Sequence, residues 1–339
     1  MGKIYNFDTE KYLEDGVTSY QKREDVEKLA VEIAKEGFDN IYLMGIGGTE
    51  FEFYHLYYML DKYFDVDISL ISAADYFLKK DKKLTEKSLV VTASSSGNTV
   101  ELIKAVKEFQ KRGVRVVSFT KLDSELAKYS THVVEEAAVT GKVEFSYLLQ
   151  TIFLYKILNE IGQFDDYNEF ADQLKGIFKD LVGIRETFDK RADFIASKIY
   201  DAEHTIFTAS GALWGECLLY SMCILEEMQW IRTRPVTSSL FFHGTLELVE
   251  ENVPVFIIKG EDEFREQDNR VENFCKKINA EHYVFDTQEF ALNSIDDKFR
   301  KFLTPWIATA LLTERMGRNY AKYTNHNLQY RRYYRQFDY

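Results

Sequence analysis

Four hydroxyl side chains fall within six consecutive positions of this chain: Ser94, Ser95, Ser96 and Thr99, with Gly97 and Asn98 between them. Hydroxyls donate hydrogen bonds without carrying charge, so a cluster of them suits an anion with several acceptor oxygens. The run Leu89-Val-Val-Thr-Ala93 ahead of them is apolar and β-branched, which predicts a buried strand. Behind them Val100, Leu102, Ile103, Val106 and Phe109 recur with helical period, which predicts a helix over 98–112. Strand, hydroxyl-rich turn and helix together describe a phosphate site, because the first turn of a helix exposes unpaired N–H groups at the positive end of its dipole. A purely local reading competes with this one. Asn98 followed by Glu101 is an ordinary capping box, and serine is common at helix starts. A cap uses one hydroxyl and this turn holds four, which favours the phosphate.

The elements that must hold the turn follow from the same periodicities. Residues 23–37 read as an amphipathic helix closed by Gly37, behind a polar arm over 1–20. Strands are expected at 41–45, 66–72, 88–93, 114–120 and 132–136, and helices at 50–62 and 98–112, with a short one at 122–128. A long apolar helix over 144–161 ends at Gly162. Alternation of this kind predicts an α/β fold with a parallel sheet covered on both faces, and ligands in such sheets sit outside the carboxyl ends of the strands. The turns 45–49 and 94–99 both fall at such ends, so they are expected to share a site.

After a charged helical stretch the plan repeats. Strands at 205–209, 253–259 and 280–285 alternate with helices at 213–229 and 264–279. Pro254 suits a sheet edge, and a last helix over 305–313 has Thr304 as its cap and Pro305 at its first position. The second half has no serine-rich turn, which points to duplication followed by loss of one binding site. The expected division is 1–165 and 191–325 for the two domains, 166–190 for a helical bridge and 326–339 for a C-terminal tail.

Composition narrows the partners. A net charge of −12 over 339 residues opposes nucleic acid and anionic membrane surfaces, both of which need a basic face. The run Arg331-Arg332-Tyr-Tyr-Arg335 is the local exception, read as a tail docked by aromatic contacts. Cys217, Cys223 and Cys275 are odd in number and form no CxxC pair, so neither a zinc site nor a disulfide framework is expected, and a reducing cytoplasm fits. No signal-peptide pattern opens the chain and no apolar run approaches membrane-spanning length. His55, His132, His204, His282 and His326 carry no partner pattern and are read as structural.

The first half resembles the sugar isomerase (SIS) domain family. Gly45-Ile-Gly-Gly-Thr49 and the Ser-x-Ser-Gly-x-Thr pattern at 94–99, with Glu101 behind it, carry the resemblance. It implies two SIS domains, each a parallel sheet flanked by helices in a flavodoxin-like or Rossmann-like three-layer sandwich. It also implies that Thr49, Ser94, Ser95, Ser96 and Thr99 hold the phosphate of a phosphosugar, with Gly47, Gly48 and Glu144 as further candidates for substrate contact. The second half is similar to the second SIS domain of the isomerase part of glucosamine-6-phosphate synthase. Glu226-Glu227-Met-Gln-Trp-Ile231 stands where that family has its catalytic Glu, and His243-Gly-Thr-Leu-Glu247 where it has its catalytic His. Thr245 replaces a proline of the isomerase pattern. Chain length, the two-domain plan without a glutaminase domain, and the ending Arg331-Arg-Tyr-Tyr-Arg-Gln-Phe-Asp-Tyr339 are closer to the fructosamine-6-phosphate deglycases, exemplified by fructoselysine-6-phosphate deglycase.

The resemblance then implies an enzyme without cofactor or metal. Glu227 would carry a proton between C1 and C2 of a ketosamine 6-phosphate, and the imine so formed would hydrolyse to glucose 6-phosphate and an amine or amino acid. His243 would open the sugar ring. In this family that histidine often comes from the neighbouring subunit, so a homodimer with shared active sites is expected. An aldose–ketose isomerase or an amino-sugar-phosphate deaminase would use the same groups, and a non-catalytic sugar-phosphate sensor is the reading from another class.

Overall fold

The computed structural model describes residues 4–135, 142–334 and 336–337. Glu136 at the end of the predicted strand 132–136, Arg335 and residues 338–339 of the tail, and residues 1–3 of the arm lie outside the described residues. The chain divides into two compact units, one formed by Glu10–Phe178 and the other by Met1–Thr9 with Lys179–Tyr339. Each is α/β, with a parallel sheet flanked by helices. Among the described residues no helix is long and apolar enough to cross a membrane.

The Glu10–Phe178 unit holds a sheet of β1 (Asn40–Gly45), β2 (Ile68–Ser72), β3 (Ser88–Ser94), β4 (Arg115–Thr120) and β5 (His132–Val134) in the order β2-β1-β3-β4-β5. All its pairings are parallel, and Asn40 registers with Ser88 where β1 meets β3. Every residue of β1 and β3 is buried, as both faces of a parallel sheet are covered. The long helices of the unit are α1 (Thr9–Gln21), α2 (Arg23–Glu36), α3 (Gly48–Tyr63), α4 (Val100–Arg112) and α5 (Val143–Glu160). The α4 helix buries Leu102, Ala105, Val106 and Phe109, one stripe at helical spacing, and stops where Gly113 takes φ +72. It starts two residues later than the periodicity predicts. Thr99 is its cap position and makes no side-chain cap bond, so the Asn98–Glu101 capping box does not form. The α5 helix is buried nearly all round, as a helix apolar on every face must be.

The second unit repeats the strand order one strand shorter. After α6 (Ile177–Ile199) come β6 (Thr205–Ala209), β7 (Thr233–Thr237), β8 (Val255–Lys259), the helix α7 (Arg265–Ile278) and β9 (His282–Asp286), ordered β7-β6-β8-β9 and parallel throughout. The first sheet without β5 has the same order, as duplication would leave it. The edge expected from Pro254 is not there: β8 lies between β6 and β9, and Pro254 precedes the strand, its carbonyl accepting from Ile206 N. The proline that marks an edge is Pro235, inside the unforeseen edge strand β7. The helix predicted over 213–229 is α-helical only at Trp214–Leu218 and continues as a π-helix over Leu219–Met228. The last helix also widens, from α at Thr304–Thr309 to π at Ala310–Met316 and back to α at Gly317–Thr324. Thr304 is not its cap, because a 3₁₀ turn at Lys301–Leu303 already winds the chain and Thr304 donates back to Lys301 O.

At the carboxyl ends of β6 and β7 the second unit places a carboxyl where the first has hydroxyls. Asp268, on the first turns of α7, is 1% exposed and accepts from Ser238 Oγ at 2.6 Å. Burial pushes this carboxyl up to about 7 from 3.8, against hydrogen bonds from Ser238 and Ser210. A carboxyl raised on folding binds its proton more tightly in the folded chain. Its contribution to stability is therefore complete below the unfolded value and is lost as pH rises through about 7. Between about pH 4 and about pH 8 this group alone is expected to remove roughly 2–4 kcal/mol of unfolding free energy. Urea unfolding of wild type and Asp268→Asn at the two pH values measures it. The variant should lack that part of the slope, and parallel profiles would rule the assignment out.

Candidate active site

The turn after β3 folds on its own hydroxyls. Ser94, buried at the strand end, bonds Thr99 across the turn with its Oγ 3.0 Å from Thr99 Oγ1, and also accepts from Gly97 N at 3.1 Å. Asn98 N donates to Ser96 Oγ at 3.3 Å. Thr120 Oγ1, at the end of β4, donates to Ser94 O at 2.7 Å and ties the turn to the sheet. Gly97 sits at φ +64, and a Cβ there would lie 2.1 Å from Ser124 Cβ, so no other residue fits the position as it stands. Ser95 is exposed, while Ser96 and Thr99 are half-buried. Ser94 and Thr99 thus brace the turn, Ser96 also bonds within it, and Ser95 is exposed. No side chain caps the 13-residue α4, so its first N–H groups are left for an anion.

The neighbouring turn after β1 is built for close approach. A Cβ at Gly45 would lie 2.4 Å from Glu50 N, so the strand runs straight into α3. Gly47 takes φ +57 as the cap residue of α3 and provides no side-chain cap, leaving a second open helix N-terminus beside the first. Thr49 closes on its own turn, accepting from Ile46 N at 3.3 Å and donating to Ile46 O at 3.2 Å. Gly48 is the first residue of α3. The next residue, Glu50, carries no motif signal but draws notice in the structure. Burial raises its carboxyl, opposed by a hydrogen bond from Ser72 at the end of β2. Glu144 is 1% exposed at the start of α5 and accepts from Tyr12 OH at 3.1 Å, a buried contact to α1.

In the second unit Glu227 stands on the last turn of the π-helix Leu219–Met228. Wide turns of this kind are rare and cluster at functional sites, because the extra residue per turn re-aims the side chains that follow. The helix is held at its end by Gln229, whose Nε2 donates to Gly317 O at 3.0 Å, just past the second π-segment. Gly317 matters for this packing, since a Cβ there would lie 3.0 Å from Ile224. Trp230 then takes φ +60, a left-handed backbone that costs a bulky side chain energy and marks a position held by its surroundings. His326 packs on its ring at 4.5 Å between centroids, and the Arg332 guanidinium lies 4.1 Å over it. Arg331 Nε donates to Glu227 Oε1 at 2.9 Å, and Thr233 Oγ1 donates to the adjacent Glu226. The result is a cavity of about 840 Å³, lined by Glu226, Glu227, Trp230 and Thr233 on one side and Arg331 and Arg332 on the other.

His243 is exposed two residues after the short helix Ser238–Phe241, on a turn that needs Gly244 at φ +131. It is not among the residues lining the cavity around Glu227. Among the described residues no group of three or more His, Cys, Asp or Glu is placed to hold a metal ion. The turn after β8 reads Gly260-Glu-Asp-Glu-Phe264, three carboxylates where the first unit has hydroxyls, and Arg300 pairs with Glu261 there at 2.7 Å.

An SIS domain model matches residues 38–158 of the chain. The chain is similar to the fructosamine deglycase FrlB of Bacillus subtilis (strain 168), with 30% identity covering 91% of this chain and 95% of that one. It is also similar to the fructoselysine 6-phosphate deglycase of Escherichia coli (strain K12), with 24% identity covering 91% and 89%. Among solved structures, that of a candidate phosphosugar isomerase from Bacillus subtilis superposes with a TM-score of 0.88 at 26% identity, covering 95% of this chain and 99% of that one. The C-terminal domain of glucosamine-fructose-6-phosphate aminotransferase from Francisella tularensis shares the fold, with a TM-score of 0.75 at 17% identity, covering 96% and 98%.

The hydroxyls of the serine turn lead to a binding test. Glucose 6-phosphate should bind and glucose should not, and Ser96→Ala should weaken the phosphorylated ligand roughly tenfold, as expected for one hydrogen bond to a charged group. Calorimetric titration of both ligands gives the answer. Equal affinity for the phosphorylated and the free sugar would refute the phosphate assignment.

Proposed function

This chain belongs to the SIS domain family, and on that premise we propose that it is a deglycase that splits a fructosamine 6-phosphate into glucose 6-phosphate and a free amine or amino acid. The broad class, a phosphosugar-processing SIS enzyme, is what its relatives support. The observation that carries the finer reading is Glu227, a carboxylate on the wall of a large cavity and gripped by an arginine. In the open-chain substrate the amine is on C1 and the carbonyl is C2. Glu227 takes a proton from C1, the electron pair moves onto the C2 carbonyl oxygen, that oxygen takes a proton from water, and an enaminol forms. The same carboxyl returns its proton at C2 to give an iminium, and loss of the N–H proton to water leaves an imine at C1. Water adds to the imine, and its collapse releases the amine and the aldose phosphate.

The remaining groups have supporting roles. Ser95, Ser96 and the open N-termini of α3 and α4 hold the phosphate, with Ser94, Thr49 and Thr99 bracing the two turns, which fixes the substrate by a group distant from the reacting carbons. His243 donates a proton to the ring oxygen so that the sugar opens. Its exposure suits a homodimer in which the histidine serves the other copy's site.

Two measurements test this. Incubation with a panel of fructosamine 6-phosphates, coupled to a glucose-6-phosphate dehydrogenase, should report glucose 6-phosphate. Glu227→Gln should lower kcat by roughly 10²–10⁴-fold while KM changes little, the usual scale for a lost general base. Near wild-type turnover in that variant would eliminate the mechanism, and ammonia as the nitrogen product would mark a deaminase instead. For the shared site, inactive Glu227→Gln and His243→Gln proteins are mixed and reassociated. Recovery of part of the activity is expected, and a mixture as inactive as its components would place His243 in its own subunit's site or outside the mechanism.

A further inference from the structure

The arginine that grips Glu227 has more donors than Glu227 uses. Arg331 Nε serves Glu227 Oε1, and Nη1 is anchored on Leu328 O and Tyr330 O, both at 2.8 Å. Nη2 has no hydrogen-bond partner among the described residues. Arg332 next to it has neither an ion pair nor a hydrogen bond among the described residues and lies 4.1 Å over the Trp230 ring. In a protein of net charge −12 this one cavity is lined by three arginines, Arg232, Arg331 and Arg332, with Glu226 and Glu227. Strong donors left in this state suit an incoming anion with a planar pair of oxygens, the partner for which a guanidinium fork is shaped.

We propose that Arg331 and Arg332 form the receptor for a carboxylate on the amine half of the substrate. This rests on the deglycase reading, which puts C1 of the substrate against Glu227. A carboxylate on the carbon next to the amine nitrogen is three bonds from C1, within roughly 4 Å of it by ordinary bond lengths. Arg331 Nε lies 2.9 Å from Glu227 Oε1, so a carboxylate this close to C1 comes within reach of the same guanidinium. The Arg331 guanidinium then bridges two carboxylates, Glu227 through Nε and the substrate through Nη2, and offsets the repulsion between them. A carboxylate far along a side chain overshoots this pair of cations. The enzyme therefore selects amino acids joined to the sugar through the nitrogen beside their own carboxylate, and Arg331 is a specificity residue.

The experiment compares kcat/KM on three fructosamine 6-phosphates, built on alanine, on ethylamine and on 6-aminohexanoate. Alanine and ethylamine differ only in the carboxylate. Wild type should prefer the alanine adduct by roughly 10- to 100-fold, the range of one charge-assisted hydrogen bond, and should treat the 6-aminohexanoate adduct like the ethylamine one. Arg331→Gln should bring the alanine-to-ethylamine ratio close to one, and Arg331→Lys should restore part of it. Thermal melts of both variants confirm that they fold. A wild-type ratio near one, or a preference that survives in Arg331→Gln, overturns the receptor while leaving the deglycase reading in place. A 6-aminohexanoate adduct as good as the alanine one overturns the placement of the carboxylate. Absence of glucose 6-phosphate from all three would sink the deglycase reading itself, and the receptor with it.

Discussion

A parallel strand covered on both faces has no room for a working polar group along its length. In β1 and β3 every residue is buried, and the strand interiors carry Val, Leu, Ile, Met and Ala, with Tyr42 and Thr92 the polar exceptions. Polar function is pushed to the carboxyl ends, where each strand hands the chain to a helix whose first N–H groups have no internal partner. In the Glu10–Phe178 unit two such handovers lie side by side, because β1 and β3 are neighbours in the sheet although a whole crossover separates them in sequence. The open ends of α3 and α4, with Ser95 and Ser96 between them, follow from that adjacency.

The second sheet ends its strands with different side chains on the same strand order. Carboxylates replace the hydroxyls of the first unit, and the cations Arg265 and Arg300 pair with carboxylates there. Glu261, Asp262 and Glu263 follow β8, and the buried Asp268 carboxyl takes the hydrogen bond of Ser238 at the ends of β6 and β7. A protein carboxyl inside the unit satisfies the hydroxyls that an external anion would otherwise meet. Its cost is a group that resists ionising, as burial raises it to about 7.

Strain in the second unit is concentrated around Glu227. The π-helix, the left-handed Trp230 and the tail returning over its ring all occur within a few residues. None of these is favourable on its own, and each is held by a contact from elsewhere in the unit: Gln229 to Gly317, His326 to Trp230, Arg331 to Glu227. Such over-determination keeps a carboxylate aimed at a cavity rather than free to sample rotamers.

The periodicities alone pointed to the alternation of strands and helices and to the hydroxyl turn with its strand and helix, because each is a local pattern, whereas the candidate pair Glu227 and His243 came only from the resemblance to the SIS enzymes. They did not show β7, whose arginine and proline make an edge strand look like loop, nor the interior place of β8 behind Pro254. The capping box at Asn98 was a sound local expectation that the turn displaced, since Ser94 and Thr99 bond each other and the helix starts later. Tertiary structure alone decided the π-winding of 219–228, the raised Asp268, the half-buried Glu50 and the ion pair from Arg331 to Glu227. The partners of that pair are 104 residues apart, and no local rule joins them. Local patterns reflect the free energy of a turn or two of backbone and can be read residue by residue. Burial and long-range pairing depend on which surfaces meet after the sheets have formed, and that is settled by packing.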